Sequence, residues 1–437
     1  MTKKTLFIIL LGFASIFPLQ SQSSLLSAYQ SGKIVLSPDP RFGRGVDWES
    51  LVLHFANDMT VAPDGSIFVA NNRENAILKF DGDGRLVKKF GRKGQGPGDF
   101  EFPGDLCVLD GRALVVGEYA GNRRISLFDL KGNHLKLMRT NGPVFGIAAL
   151  KKNIIAYRSW SFNRSDPTMI RDVDHYQIYV KDIVTGREVR VADAKIPYKS
   201  IGALRLDASV CGTILIAGTA DGGLLVCDTR KAEVEIFNPD GRKLRSFSLK
   251  LEPFPLTKEY LRLYKDNMIR DLRNGPAATF PSLAAIIKEI EGASLGSFVD
   301  GHFPLYKDLL IDSEGNILVF KNTDCLGDCP IMVQAYSPSG EFLAEFELDP
   351  GPVKVKIDHR FRNICFTGQG IFGMFPSKAD PDEIIVLMKT SFHAPITETH
   401  RSVQRIRASA QAGSDSPRKV QIDSALTRAR NFGKGGA

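Results

Sequence analysis

Cysteine, histidine and tryptophan are scarce in this chain, with six, seven and two among 437 residues. The histidines (His54, His134, His175, His302, His359, His393 and His400) include no spaced pair, which removes the usual zinc arrangement of converging imidazoles. No G-x-S-x-G, H-E-x-x-H, phosphate-binding loop or dinucleotide fingerprint occurs, so the common hydrolase, zincin and nucleotide-binding signatures are absent. Charge of one sign is missing from the body. Of the formal net +8, Lys3 and Lys4 supply +2 and residues 401–437 supply +6, leaving 22–400 neutral and without a general field for polyanions.

Only one long apolar run exists, 5–19 (TLFIILLGFASIFPL), behind Lys3 and Lys4 and ahead of a polar exit. This is the pattern of a secretory signal, expected over 1–22 and followed by periplasmic or secreted export. The alternative is an N-terminal membrane anchor, although the run is shorter than the ~20 residues of a spanning helix. At the other end, 395–437 is rich in Ser, Ala, Arg and Gly and reads as a disordered basic tail. Its single aromatic residue, Phe432, argues against nucleic-acid binding and leaves at most contact with an anionic membrane surface.

In an exported chain the close pair Cys325 and Cys329 suits a disulfide across a small loop. Cys107, Cys211, Cys227 and Cys365 fall singly in apolar strand patterns and read as buried small hydrophobes.

What the chain does have is a repeated pattern of short alternating runs. Residues 59–62, 66–70, 76–80 and 86–90 are parted by Pro63-Asp64-Gly65 and by Asp81-Gly82-Asp83-Gly84, which predicts a four-stranded antiparallel meander. The pattern returns at 106–138, in weaker form at 147–192, and again at 213–249 and 307–348. An aromatic or apolar residue followed at a fixed distance by glycine marks the third-to-fourth turn, with glycines at 84, 132, 186, 241 and 340. The wide last interval contains two helical segments, one capped by Thr257 and one at 283–291, so an insertion is expected over 253–300. A sixth unit at 353–392 lacks its last turn, and a lone N-terminal strand within 31–55, where two apolar runs lie (33–36 and 51–55), is expected to supply its missing strand. A meander cannot bury both faces, so such units must stack on one another. The fold expected over 31–394 is therefore all-β: a six-bladed β-propeller with four-stranded antiparallel blades, the helical insertion between blades four and five, and the N-terminal strand closing the ring.

The segments GQGPGDFEFP (94–103), VANNRENAILKFDGDG (69–84) and GNRRISLFDLKG (121–132) resemble NHL-repeat propellers, the exported six-bladed kind common in bacteria. The likeness is close over 57–137, fair over 213–249 and 307–348, and weak elsewhere. The aspartate usual after the second strand is Asn71 in the first unit and Glu118 in the second, and survives as Asp228 in the fourth. The usual arginine before the third-strand isoleucine is Ala76 in the first unit and Arg124 in the second. In that family these positions tie loops, so the resemblance implies fold far more than activity.

The first-to-second and third-to-fourth turns of a meander share one side, and here they are minimal. Every expansion falls on the other side, in 91–103, 159–175, the 325–329 loop and the helices, and long loops on a rigid scaffold commonly carry function. The candidate contacts there are Trp160, Phe162, Arg164, His175, Arg123, Arg124, Asp324 and Asp328. Each also has a structural explanation: the aromatics as a cover, Arg124 as a loop tie, the aspartates as turn formers. The expected function is that of a monomeric, non-catalytic binding protein for a protein, peptide or glycan, with no cofactor. The alternative is a propeller hydrolase or lyase using calcium or zinc. Calcium stays open because it needs only oxygen ligands.

Overall fold

The structure is a computed structural model that describes residues 25–51, 53, 56–118, 123–161, 173–197, 200–201, 204–205, 211–253, 255–274, 283–293, 302–322, 330–349, 364–367, 369–376 and 385–393. The expected signal, tail and Cys325–Cys329 bridge, with Phe162, Arg164, Asp324 and Asp328, lie outside these residues. The chain divides into the units Met1–Phe392 and His393–Ala437, and the repeats belong to the first.

A helix α1 (Leu25–Gln30), a strand β1 (Lys33–Pro38) and a single-turn helix α2 (Trp48–Leu51) precede the repeats. Leu51, the first residue of the apolar run 51–55, ends α2. The first sheet is β2 (Ala56–Val61), β3 (Ile67–Asn71), β4 (Ala76–Phe80) and β5 (Leu86–Phe90), antiparallel and in chain order. The second repeats it with β6 (Pro103–Leu109), β7 (Ala113–Glu118), β8 (Arg124–Asp129) and β9 (His134–Arg139). The third is β10 (Val144–Ala149), β11 (Ile154–Ser161), β12 (Val173–Asp182) and β13 (Glu188–Pro197), followed by a ribbon of β14 (Ser200–Ile201) and β15 (Leu204–Arg205). The fourth is β16 (Ile214–Gly218), β17 (Leu224–Asp228), β18 (Glu233–Phe237) and β19 (Lys243–Ser248).

Two helices come next, α3 (Lys258–Asn274) and α4 (Leu283–Gly292). Thr257 caps α3 as expected, its Oγ1 accepting from Tyr260 N–H at 3.1 Å. The apolar stripe of α3 packs on α4 through Ile269, Ile287 and Ile290, with Leu261, Tyr264, Met268 and Cys211 around them.

The remaining strands form one continuous sheet. β20 (Tyr306–Ile311), β21 (Ile317–Lys321), β22 (Ile331–Tyr336) and β23 (Phe342–Asp349) make a meander, and β24 (Ile364–Thr367), β25 (Gly370–Pro376) and β26 (Ile385–His393) make a three-stranded one. β1 lies between β23 and β26, so the first strand of the chain completes the last meander. It also pairs in parallel with β23, Lys33 opposite Glu347 and Val35 opposite Asp349, and this second partnership had no signal in the sequence.

Each apolar core of the sheets is shared by two neighbouring meanders. Phe68, Ala70 and Phe90 of the first join Leu106, Leu114 and Phe128 of the second. Cys107 and Val115 meet Ile155 and Tyr157, Ala156 and Val180 meet Ile214 and Val226, and Leu225 and Ile236 meet Leu309 and Val319. Leu318 and Phe320 then join Ile364 and Phe366, while Phe372 joins Met59, Val69 and Phe80 of the first sheet. The sequence of shared cores returns to its start. Meanders packed face to face in this way are the construction of a β-propeller, and the force that assembles it is burial of apolar sheet faces.

The repeated turn glycines have a geometric reason. Gly132 has φ +79°, and a Cβ there would sit 2.8 Å from the Phe90 ring of the preceding sheet. A residue that is both left-handed and pressed against a neighbour has to be glycine.

Candidate functional site

No hairpin turn, first-to-second or third-to-fourth, exceeds five residues, from 62–66 in the first sheet to 337–341 in the fifth. The second-to-third and sheet-to-sheet connections share the opposite side and include 91–102, 162–172, 198–213 and 249–305. The expansion of one side only, read from turn chemistry, holds among the described elements.

On that side the first strands of successive sheets stand next to one another. Four of them open with an irregularity in register: Ala56/Asp58, Pro103/Leu106, Val144/Gly146 and Tyr306/Asp308. Such bulges re-aim side chains at the end of a strand. Asp58, placed by the first bulge, accepts from Met59 N–H at 2.8 Å and from Leu106 N–H at 2.7 Å, which stitches the first sheet to the second. Asp308 holds the same place in β20 and accepts from Leu309 N–H at 2.7 Å, but its Oδ2 has no hydrogen-bond partner among the described residues. Burial pushes the Asp308 carboxyl up to about 8, against smaller opposing effects from that N–H and from the Arg158 charge.

Arg158 comes from β11 and reaches the start of β16. Its Nη1 donates to Thr213 Oγ1 at 3.0 Å and to the Ile214 carbonyl, and its Nη2 donates to the Phe145 carbonyl at 2.7 Å. The guanidinium lies 5.0 Å from the centre of the Tyr176 ring, while Nε is buried without a partner. Burial lowers its pKa from the ordinary arginine value. Lys307, beside Asp308, is half-buried, and burial lowers its pKa too.

The expected contacts separate into groups. Trp160 and His175 are not in a loop: β11 and β12 run on as a long hairpin in which Trp160 faces Tyr176 and Ser161 faces His175, which shortens the expected 159–175 loop to 162–172. Trp160 is half-buried with Phe145 edge-on to it, ring centres 5.9 Å apart. Arg123 is exposed, with φ +47°, and its carbonyl accepts from Thr140 N–H at 3.0 Å.

Arg124 is buried and fully engaged. It pairs with Glu118 and donates to the carbonyls of Gln95 (2.6 Å), Asp99 (2.6 Å) and Gly94 (3.3 Å), clasping the glycine-rich 94–100 loop. Glu118 also accepts from Glu101 N–H at 2.7 Å, so this pair is the loop tie. Sequence reasoning missed Arg158, Asp308 and Phe145. Each sits at or beside a bulge, where the two-residue period that identifies strand faces slips by one.

Among the described residues no group of three His, Cys, Asp or Glu side chains is placed to hold a metal ion, and no helix is long and apolar enough to cross a membrane. Cys107, Cys227 and Cys365 are free thiols.

No protein-family model matches the chain, and no curated protein matches it either. Among solved structures it is similar to a streptogramin B lyase, at 12% identity over 83% of this chain and 89% of that one with a TM-score of 0.38. It is also similar to a DUF4221-family member from Bacteroides vulgatus, at 11% identity over 83% and 99% of the two chains with a TM-score of 0.44. A third is a gluconolactonase from Xanthomonas campestris, at 13% identity over 77% and 86% with a TM-score of 0.38.

Proposed function

We propose that the chain is an exported six-bladed β-propeller of the NHL-repeat type that binds a partner on its loop side without chemistry on it, β1 serving as the outer strand of the sixth blade. The observation that carries this reading is the segregation of connections: tight hairpins on one side, every long segment on the other. The described carboxylates Asp58 and Glu118 of that side are spent on backbone N–H groups and on Arg124, which suits a braced binding surface. A protein, peptide or glycan partner fits a broad loop-built surface around a central channel. Export is inferred from the basic, then apolar, then polar start of the sequence.

The test is a peptide and glycan panel against the full chain, a variant with 162–172 replaced by a short turn, and hairpin-side variants at Asp129 and Asn133. Binding lost only in the loop-side variant supports the reading, and binding lost only in the hairpin-side variants overturns it.

A second reading, a hydrolase or lyase at the channel mouth, has one observation in its favour: Asp308 keeps its proton near neutrality, as a general acid must. Elemental analysis with a chelator melt addresses its metal-dependent form. Stoichiometric calcium or zinc whose removal lowers the melting temperature favours the enzyme.

A further inference from the structure

The loop-side ends of the third, fourth and fifth sheets bring together hydrogen-bonding groups that are unspent. Arg158 Nε is a buried donor without a partner, and Asp308, only 7% exposed, keeps Oδ2 unpartnered. The two residues come from different sheets: Arg158 reaches the start of β16, β16 stands beside β20, and Asp308 lies at the bulge that opens β20. Unpaired buried polar atoms are costly, and two such atoms in one corner point to a group that visits both. Beside them the half-buried rings of Phe145, Trp160 and Tyr176 form a continuous apolar patch, Phe145 joined to Arg158 through its carbonyl and Tyr176 lying under the guanidinium.

The proposed binding role underlies this step, and the corner gives its ligand a chemistry. We propose that it takes a carboxylate joined to an apolar body, the oxygens received by Arg158 Nε and Asp308 Oδ2 and the body resting on Trp160 and Phe145. Both receiving atoms lie below the surface, so the head group has to be slender, as a terminal carboxylate is. Its charge is set by the surroundings. Among the described residues Arg158 is bonded only to carbonyls and a hydroxyl, and burial is the one cause that lowers the Lys307 pKa. A protonated Asp308 donates to the incoming anion and adds no repulsion.

The groups facing Asp308 support one direction of pH dependence. Arg158 reaches it from β11, and Lys307 is its neighbour on β20. Residues 214–218 of β16 carry no titratable side chain, 317–321 of β21 bring Lys321, which pairs with Glu345, and 364–367 of β24 bring only Cys365, a thiol that burial pushes up to about 12. Affinity is therefore highest near neutrality, where the ligand is ionised and Asp308 is not, and falls as Asp308 ionises through about pH 8.

The carboxylate could belong to a free acid or to a peptide end, and two pairs of probes separate these sources: 3-(4-fluorophenyl)propionate with its amide, and N-acetyl-Phe-Gly-Gly with its C-terminal amide. Each is titrated against the full chain by calorimetry, the first pair also by fluorine NMR. Each acid that binds is expected to exceed its amide at least tenfold at pH 6.5, and the tighter acid identifies the source. Trp160→Ala weakens binding, Asp308→Leu abolishes it, and Asp308→Asn keeps it at pH 6.5 while removing the loss toward pH 9. Acids that bind no better than amides, no binding of either acid, or unchanged affinity in Trp160→Ala and Asp308→Leu would overturn the proposal. Hydrogen exchange distinguishes failure of the corner from failure of the binding role. Protection by a bound acid elsewhere on the loop side removes the corner and leaves the binding role standing, whereas protection confined to the hairpin turns removes both.

Discussion

Tyr29 of α1 lies flat against Phe346 of β23, ring centres 4.8 Å apart and planes 5° from parallel, and its hydroxyl donates to Asp312 Oδ2 at 2.8 Å. With Lys33 paired to both Glu347 and Asp349, this contact clips the N-terminal segment onto the sheet that β1 then extends into the last meander. Tyr29→Ala is expected to cost about 3–5 kcal/mol, as loss of a fully buried ring does. Tyr29→Phe, which forfeits only the hydroxyl bond, costs about 1 kcal/mol. Urea denaturation measures both, and equal costs for the two variants would contradict a clip that depends on the ring.

The Arg124–Glu118 pair holds the 94–100 loop. Arg124→Ala leaves Glu118 buried with its charge uncompensated and is expected to destabilise by about 3–5 kcal/mol. Exposed Arg123→Ala changes stability by less than about 0.5 kcal/mol. A denaturant series on the two variants checks the contrast.

Two repeat glycines with nearly the same backbone differ in their surroundings. Gly186 has φ +75° and open space where a Cβ would go, while Gly132, at φ +79°, faces the Phe90 ring at 2.8 Å. Gly186→Ala should therefore cost the left-handed conformation alone, about 1–2 kcal/mol. Gly132→Ala adds overpacking of a further 1–3 kcal/mol or so. Thermal melts of the two variants give the order.

The repeat glycines, the meander boundaries of the first two sheets, the Thr257 cap and the placing of both helices were legible in the sequence because each depends on local chemistry: a φ only glycine adopts, a hydroxyl before a helix, alternation within a run. The third sheet was less so. Its hairpin carries on through Trp160 and Tyr176, where polar Ser159 and Gln177 break the apolar alternation and pairing is decided by the opposite strand. The parallel partner of β1 is non-local, since residues 33–35 meet 347–349. Strand β25 was missed altogether: its two-residue Gly-Gln connection is shorter than the turns that mark the hairpins of the other meanders. Near the candidate site, the grouping of long connections on one side was readable, and the unspent atoms of Arg158 and Asp308 were not. Arg158 looks like any strand arginine until β16 is set beside it.

Asp308 makes stability depend on pH in a defined direction. Its folded pKa, about 8, lies above the ordinary carboxyl value of 3.8, so between those limits the folded state holds a proton that the unfolded state has released. The unfolded form then binds fewer protons, and stability falls as pH rises from about 4 to 8, by up to about 1.4 kcal/mol per pH unit from this group. Asp308→Asn removes that contribution. Unfolding midpoints at pH 5, 6.5 and 8 should show the variant gaining on the parent chain as pH rises, and a constant difference across the series would refute the assignment.

The central claim is that the side with the long connections is the working side. Hydrogen exchange on the full chain, with and without the tightest binder from the peptide, glycan and acid probes, tests it directly. The account predicts slowed exchange in peptides covering 91–103, 139–146, 158–161 and 302–308, with the hairpin turns at 62–66, 81–85, 129–133 and 337–341 unchanged. Slowing in those turns, with the loop side unchanged, would contradict it.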